Sequence, residues 1–483
     1  MKTFPRAAIC LIAFLLAVTG GCSRTAEPVR NPAVAGAFYP EDKTELRRQV
    51  QAFLEDAPEA AVPGRLLALI APHAGYLYSG AVAGNAYRQL QGRDIHTVVL
   101  VGPSHRTSFQ GVSVFAAGTF RTPLGDVPVN TKLAARLLDQ KADVGFYPAP
   151  HEPEHSLETQ LPFIQMALGA RVKIVPILIG TPTKKSFQHL TTVLGDMLAA
   201  DAGIFLAIST DLSHYHDYDT AVAMDEDMLA PLKAVGLEEA QSLVTTGKGE
   251  MCGAWPVIYG MGVLRKLGAN QGVLYQYANS GDVTGDRSRV VGYAAMGFYR
   301  TPLTEEDAGT LLHIAEETIK QFVTHGTTPE FEVRNPVLRS YQGVFVTINR
   351  QGRLRGCIGS LSPMEPLYQG VSRNAVRAAA YDARFPRMRP EELADMEVEV
   401  SVLTPFTPLP ASDIDTIVVG LDGLFLQKDG KSGVFLPQVP VEQGWDRNTY
   451  LNQLCAKAGL PEGAWKAEGA RLYTFRAEVI RDT

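Results

Sequence analysis

Four runs, "RLLALIAP" from Arg65, "HTVVLVGPS" from His96, "VKIVPILIG" from Val172 and "IFLAISTD" from Ile204, are apolar with no polar alternation. Such runs fit strands buried on both faces of a mainly parallel sheet. Between and around them "SGAVAGNAYRQL", "TKLAARLLDQ", "LETQLPFIQMAL" and "KSFQHLTTVLGDML" carry helical spacing. The alternation predicts an α/β domain with a wound, mainly parallel sheet and helices on both faces. It closes with a strand in "RVVGYAAMGFY", and the texture then changes.

Thr304 and Asp307 form a capping-box pattern ahead of the apolar stripe in "LLHIAEETIKQFV", which places a boundary near residue 302. Beyond it, "GVFVTINRQGRLRGCIG" reads as a hairpin turning at Asn349 to Gly352, and "YQGVSRNAVRAAAYDAR" as a helix. "MEVEVSVLT" reads as an alternating strand and "GLFLQKDGKSGVFLP" as a second hairpin. The expected organisation is an α/β domain over residues 33–302 and a smaller α+β domain over residues 303–483.

The first 22 residues are of another kind. Lys2 and Arg6 precede the 13-residue apolar stretch "AAICLIAFLLAVT", too short to span a bilayer and suited to the core of a signal peptide. "VTGGC" resembles a bacterial lipobox, with Thr19 where leucine is commonest. The expectation is an exported lipoprotein, acylated at Cys22, anchored by lipid to a membrane and facing the periplasm, with residues 23–32 as a tether. Ordinary secretion and a misassigned start are the alternatives. Once Cys10 and Cys22 are set aside, Cys252, Cys357 and Cys455 remain, an odd and scattered set that is no disulfide framework. A formal net charge of −6 without a basic run leaves no electrostatic footprint for nucleic acid.

Candidate chemistry gathers at strand ends. His73, His105 and His214 each lie at or just past the carboxyl end of an expected buried strand. Ligands of wound α/β sheets bind at that edge, so the three histidines are expected to share one cleft as a metal or acid/base site. Eight of the ten histidines fall between residues 73 and 216. "HEPEHSLETQLPF" adds Glu154, His155 and Glu158; His155 and Glu158 are read as outer partners that orient ligand histidines, with helix capping and solvated charge as the competing reading. Cys252, in "GEMCGAWPVIYGMG", precedes a helical stretch, where a thiol is expected to have a lowered pKa, against the plainer reading of an inert buried cysteine.

In order along the chain, "APHAGYLYSGAVAGNAY", "VGPSHR", "EHSLETQLPFI", "STDLSHY", "EMCG" and "NSGDVTGDRSRVVGYAA" resemble the Memo family, whose fold is similar to class III extradiol dioxygenases. The resemblance covers about residues 28 to 300 and implies a metal held by His73, His105 and Cys252, with Asp211 and His214 as acid/base or orienting residues in the same pocket. It further implies that Tyr76 lines the pocket and that Phe38, in "AFYPED", stands where other members carry tryptophan. A thiolate in place of the dioxygenase carboxylate favours iron or copper over zinc and puts ring cleavage in doubt.

The second unit resembles the AMMECR family through "LRGCIGSL", "AAYDARFP" and "GVFLPQVPVEQGW", which implies a site containing Arg355, Cys357 and Asp382, of no assigned reaction. The glycines flanking Cys357 allow close approach of a ligand or another strand, with tight hairpin packing as the alternative. The fusion also resembles systems in which Memo and AMMECR proteins accompany a radical SAM protein, which implies a functional link to one. Three readings of the first domain follow: a metal-dependent redox protein acting on a small molecule or peptide, a binding module for a peptide or small ligand without turnover, and a zinc-dependent hydrolase.

Overall fold

A computed structural model describes residues 28–361 and 364–481. The expected signal peptide, Cys22 and the first half of the expected tether, residues 23–27, lie outside the described residues. Among the described residues, no helix is long and apolar enough to cross a membrane.

The first domain is built on α1 (Lys43–Glu55), β1 (Arg65–Ala71), α2 (Tyr76–Arg88), β2 (Thr97–Pro103), α3 (Leu161–Leu168), β3 (Lys173–Ile179), α4 (Lys184–Ala200), β4 (Ile204–Ser209), α5 (Ala254–Lys266), β5 (Gln271–Asn279) and β6 (Val290–Arg300). The central strands run in the order β1, β4, β2, β3, mutually parallel, and antiparallel β6 pairs with β1 and β5. All residues of β2 and β4 are buried, which is why these strands read as continuous apolar runs. In this order β4 lies between β1 and β2, so the carboxyl ends of three neighbouring strands meet at one edge. Neighbouring strands stand about 4.8 Å apart, so side chains leaving these ends converge without any long excursion of the chain.

One boundary differs from the sequence reading. The fold begins before residue 33: Val29 and Arg30 pair in parallel with Thr119 and Phe120, and Arg30 is only 4% exposed. The stretch "SRTAEPVRNP" looks like a polar tether because Arg30 finds its partners only in distant parts of the chain.

The second domain contains α6 (Glu305–His325), β7 (Val344–Arg350), β8 (Arg353–Ser360), α7 (Leu367–Ala380), β9 (Met396–Leu403), β10 (Gly423–Lys428), β11 (Lys431–Phe435), α8 (Arg447–Lys457), β12 (Arg471–Phe475) and β13 (Ala477–Arg481). One antiparallel sheet runs β8, β7, β9, β13; a second runs through β12, β10, β11. The capping box at the start of α6 is present, with Thr304 accepting from the Asp307 N–H and the Asp307 carboxylate accepting from the Thr304 N–H. Both expected hairpins form, turning through left-handed pairs, Gln351 with Gly352 and Asp429 with Gly430, as two-residue turns of this kind require.

The two cores are separate. The first runs from Tyr39 to Tyr299, whereas the apolar clusters beyond start at Leu311 and end at Ile480. Residues 304–483 expressed alone are therefore expected to melt in a cooperative transition, measured by calorimetry. A fragment without a transition would mean that the units need each other to fold.

Candidate functional site

His73 leaves β1 one residue after Pro72, and its side chain is 2% exposed. Its Nδ1 lies 2.8 Å from Ser209 Oγ, at the end of β4. The Ser209 hydroxyl has one proton, which it donates to the Ser156 carbonyl at 2.7 Å. It must therefore accept from the ring, so Nδ1 carries the hydrogen and Nε2 is left as a bare lone pair. That Nε2 stands 3.1 Å from Cys252 Sγ.

His105 is set by the same logic. Its Nδ1 is 2.9 Å from Glu154 Oε1, and its backbone N–H donates to Glu154 Oε2 at 2.6 Å. A carboxylate accepts, so Nδ1 carries a hydrogen, and the neutral form of the ring offers Nε2 as its lone pair. Burial pushes Glu154 up, but its bond and charge pairing with His105 and the N–H groups of Ser156 and His105 outweigh this and hold it at about 2. Glu154 is thus an anion at neutral pH in a buried place. The His214 Nδ1 donates to the Leu212 carbonyl at 2.8 Å, which leaves a third free Nε2.

Cys252 reaches this edge because Gly253 allows it. A Cβ at residue 253 would sit 2.6 Å from the Ser209 carbonyl and from Thr210 Cβ, so only glycine lets the turn before α5 close on the end of β4. The Cys252 sulfur accepts the Asp211 N–H at 3.2 Å. The lowered thiol pKa expected from the helix start is not found: burial pushes the thiol up, the Asp211 carboxylate pushes it the same way, and the backbone N–H groups compensate only in part. Asp211 is also raised, by burial above all. Burial and the neighbouring His105 lower His73 to about 3, which keeps its imidazole neutral.

Donor atoms of His73, His105 and Cys252 all lie within 4.8 Å of one another, and so do those of Asp211, His214 and Cys252. Ligands at about 2.0–2.3 Å from one ion stand roughly 3.3–3.8 Å apart in a tetrahedron, so donors gathered within 4.8 Å need only small side-chain shifts to close on one ion. Two imidazoles presenting Nε2 and one sulfur fit a transition metal; without an ion the Cys252 thiol can donate to His73 Nε2 at 3.1 Å, a proton that metal binding would displace.

The remaining expected residues divide. His155 stacks on His105 at 4.7 Å between ring centroids, meets His73 edge-on at 5.4 Å, and carries Phe38 against its other side at 4.9 Å. Tyr76 is not a pocket residue: it is 3% exposed, packs on Phe163 and Tyr39, and donates to the Thr159 carbonyl at 2.6 Å. Its position beside the histidine motif in sequence is the first residue of α2, from which its side chain turns into the core.

Glu158 also departs from expectation. It touches no ligand histidine; it pairs with Arg30 and accepts from Tyr39 Oη at 2.6 Å and from the N–H groups of Ala33 and Val34 at 2.8 and 3.0 Å. Glu154, four residues earlier, is the outer partner instead. The sequence marks both as acids near a helix start and cannot say which one turns toward β2.

In the second domain Cys357 and Asp382 come together: the Cys357 N–H donates to Asp382 Oδ2 at 2.9 Å, and Thr347 Oγ1 lies 3.2 Å from the sulfur. Arg384, missed by the sequence reading, binds the Asp382 carboxylate and the Cys357 carbonyl. Arg355 is turned to Glu392, with bonds of 2.7 and 3.1 Å. Gly356 answers the question of close approach: a Cβ there would stand 2.2 Å from the Ala378 carbonyl, so the space is taken by α7 rather than by a ligand. Gly356→Val is expected to cost about 1–3 kcal/mol of the second domain's stability, read from its denaturant midpoint. An unchanged midpoint would show that α7 can shift freely.

A wound α/β fold with a histidine–cysteine cluster at its carboxyl edge, joined to an α+β unit, is the class these observations define. Family models match on both sides of the boundary: a Memo-like protein over residues 30–297 and AMMECR1 over residues 312–480. The chain belongs to the Memo family and carries an AMMECR1 domain after it. It is 34% identical over 280 residues to a MEMO1 family protein of Methanopyrus kandleri, covering 56% of this chain and 99% of that protein. A MEMO1 family protein of Ignicoccus hospitalis is 37% identical over 282 residues, with 56% and 98% covered. The crystal structure of an uncharacterized protein from Pyrococcus horikoshii is 39% identical, covers 37% of this chain and 92% of that chain, and has a TM-score of 0.35.

Proposed function

We propose that the first domain is a metal-dependent redox protein in which His73 and His105 through Nε2, and Cys252 through sulfur, hold one iron or copper ion. The observation that supports this most is the pair of fixed tautomers: Ser209 and Glu154 each take the Nδ1 hydrogen, so both imidazoles face the sulfur as ligands. A bound cation also accounts for a cysteine placed where burial disfavours its thiolate, since metal binding displaces that proton. The metal would supply electron transfer or oxygen activation. Asp211, which accepts the His73 backbone N–H at 2.7 Å, and His214 would hold or move a proton beside the substrate.

Metal analysis of protein purified without added metal tests the reading: about one iron or copper per chain is expected, with oxygen uptake in the presence of a reductant. Zinc alone would favour hydrolysis, and no metal a binding module. The reading extends to place: the chain is held at a membrane by a lipid on Cys22. Cys22→Ala is expected to move the protein from the detergent phase to the aqueous phase, and a wild type already in the aqueous phase would refute the anchor.

A further inference from the structure

We infer that Arg30 is a positioning residue for this metal cluster, acting from behind it through the segment that carries Glu154. The inference rests on the metal reading above. Arg30 is 4% exposed and spends its guanidinium on three acceptors: Nε donates to the His151 carbonyl at 3.0 Å, Nη2 to the Glu154 carbonyl at 2.5 Å, and Nη1 pairs with Glu158. Its charge also lies over the Phe120 ring, 5.4 Å from the centroid.

The three acceptors belong to one stretch, residues 151–158, which links the end of a short α-helix, Pro148–His151, to the start of a 3-10 helix, Glu158–Gln160, without a long regular element of its own. A planar guanidinium with donors in fixed directions sets the relative positions of those groups in a way that a single hydrogen bond cannot. Residue 154 is the one whose backbone carbonyl Arg30 binds and whose carboxylate holds His105 Nδ1 and N–H. The path from Arg30 to the lone pair of His105 is therefore one residue long. Glu158 has a separate part: with Tyr39, Ala33 and Val34 it holds the chain that delivers Arg30, so the charge pair locks the arm while the two carbonyl bonds locate Glu154.

This goes beyond ligand assignment, because it makes the strand Val29–Arg30 part of the metal site. Outer partners of metal ligands commonly change affinity by about 10–100-fold when removed. Arg30 is one bond further out than such a partner, but it has no substitute: no other cation pairs with Glu158 among the described residues.

The test uses the full chain in detergent, stripped of metal and titrated with Co(II), whose visible bands report ligand geometry and whose sulfur charge-transfer band reports Cys252. Arg30→Met is expected to weaken Co(II) about tenfold or more and to shift the visible bands while the sulfur band persists. Arg30→Lys should recover part of the affinity. Because Arg30→Met leaves the Glu158 carboxylate buried without its cation, the double variant Arg30→Met with Glu158→Gln is measured beside it and carries the same expectation. A folded Arg30→Met or double variant that binds within twofold of wild type, with unshifted bands, overturns the inference. So does failure of both to fold, which would make Arg30 a structural residue only. Cys252→Ala separates the two levels: a Co(II) spectrum identical to wild type in that variant would instead refute the metal reading itself.

Discussion

His73→Ala, His105→Ala and Cys252→Ala are each expected to lower metal affinity by orders of magnitude, measured by competition with a chromophoric chelator on stripped protein. With one of three donors gone, the remaining pair cannot complete the shell, and the donor atoms here are close enough to serve a single ion. His96→Ala and His189→Ala are the controls. His96 is paired with Asp201 near the amino end of β2, and His189 contacts the Leu137 carbonyl from α4, so neither reaches the carboxyl edge. Full metal content in both His73→Ala and Cys252→Ala would return His73 to a packing role. Cys252→Asp is a finer version, since two histidines and a carboxylate are the ligand set of oxygen-activating Fe(II) sites, and the preference should move from copper toward iron.

Acidification from neutral pH should destabilise the first domain through a buried neutral histidine. His151 is 1% exposed, and burial first, then the Arg30 charge, lowers its pKa from 6.5 to about 3. Ser113 gives its own proton to the Tyr147 carbonyl and so accepts from His151 Nε2, while Nδ1 has no partner among the described residues. The ring is thus held neutral in the fold. A histidine whose folded pKa is depressed favours the fold fully above the unfolded pKa, and that contribution is lost as pH falls from about 6.5 toward 3. Between pH 7 and 4 the loss from this residue is about 3 kcal/mol. Denaturant midpoints of the first domain measured across that range should fall accordingly, and His151→Phe, whose ring can keep the contacts with Phe115 and Phe120, should show a shallower fall. Equal slopes in the two proteins would mean that His151 is protonated without cost in the fold.

The sequence by itself determined the main strands and helices and the α/β class of the first domain, and it marked a change of texture near residue 302 and the strand ends that carry histidines. These are local or repetitive signals: buried strands without polar alternation, a capping box at Thr304, and left-handed turn pairs such as Asp429 with Gly430. The strand-end positions of His73, His105 and His214 were equally legible, because the carboxyl ends of parallel strands lie on one side whatever the strand order.

Cys252 was different. Nothing in its own neighbourhood distinguishes it from a buried thiol; family motifs pointed to it, and the close turn at Gly253 explains how it arrives. Only the tertiary structure decided which acid serves the cluster. Glu154 and Glu158 sit four residues apart with the same local signals, and their roles are separated by what faces them from elsewhere in the chain: His105 from the end of β2 for one, Arg30 from the amino-terminal arm for the other. The same holds for Tyr76, for Arg384 beside Cys357, and for the thiol pKa of Cys252. A side chain's protonation and partner depend on burial and on charges contributed by distant segments, and no pattern along the chain carries that information until the strand order brings the segments together.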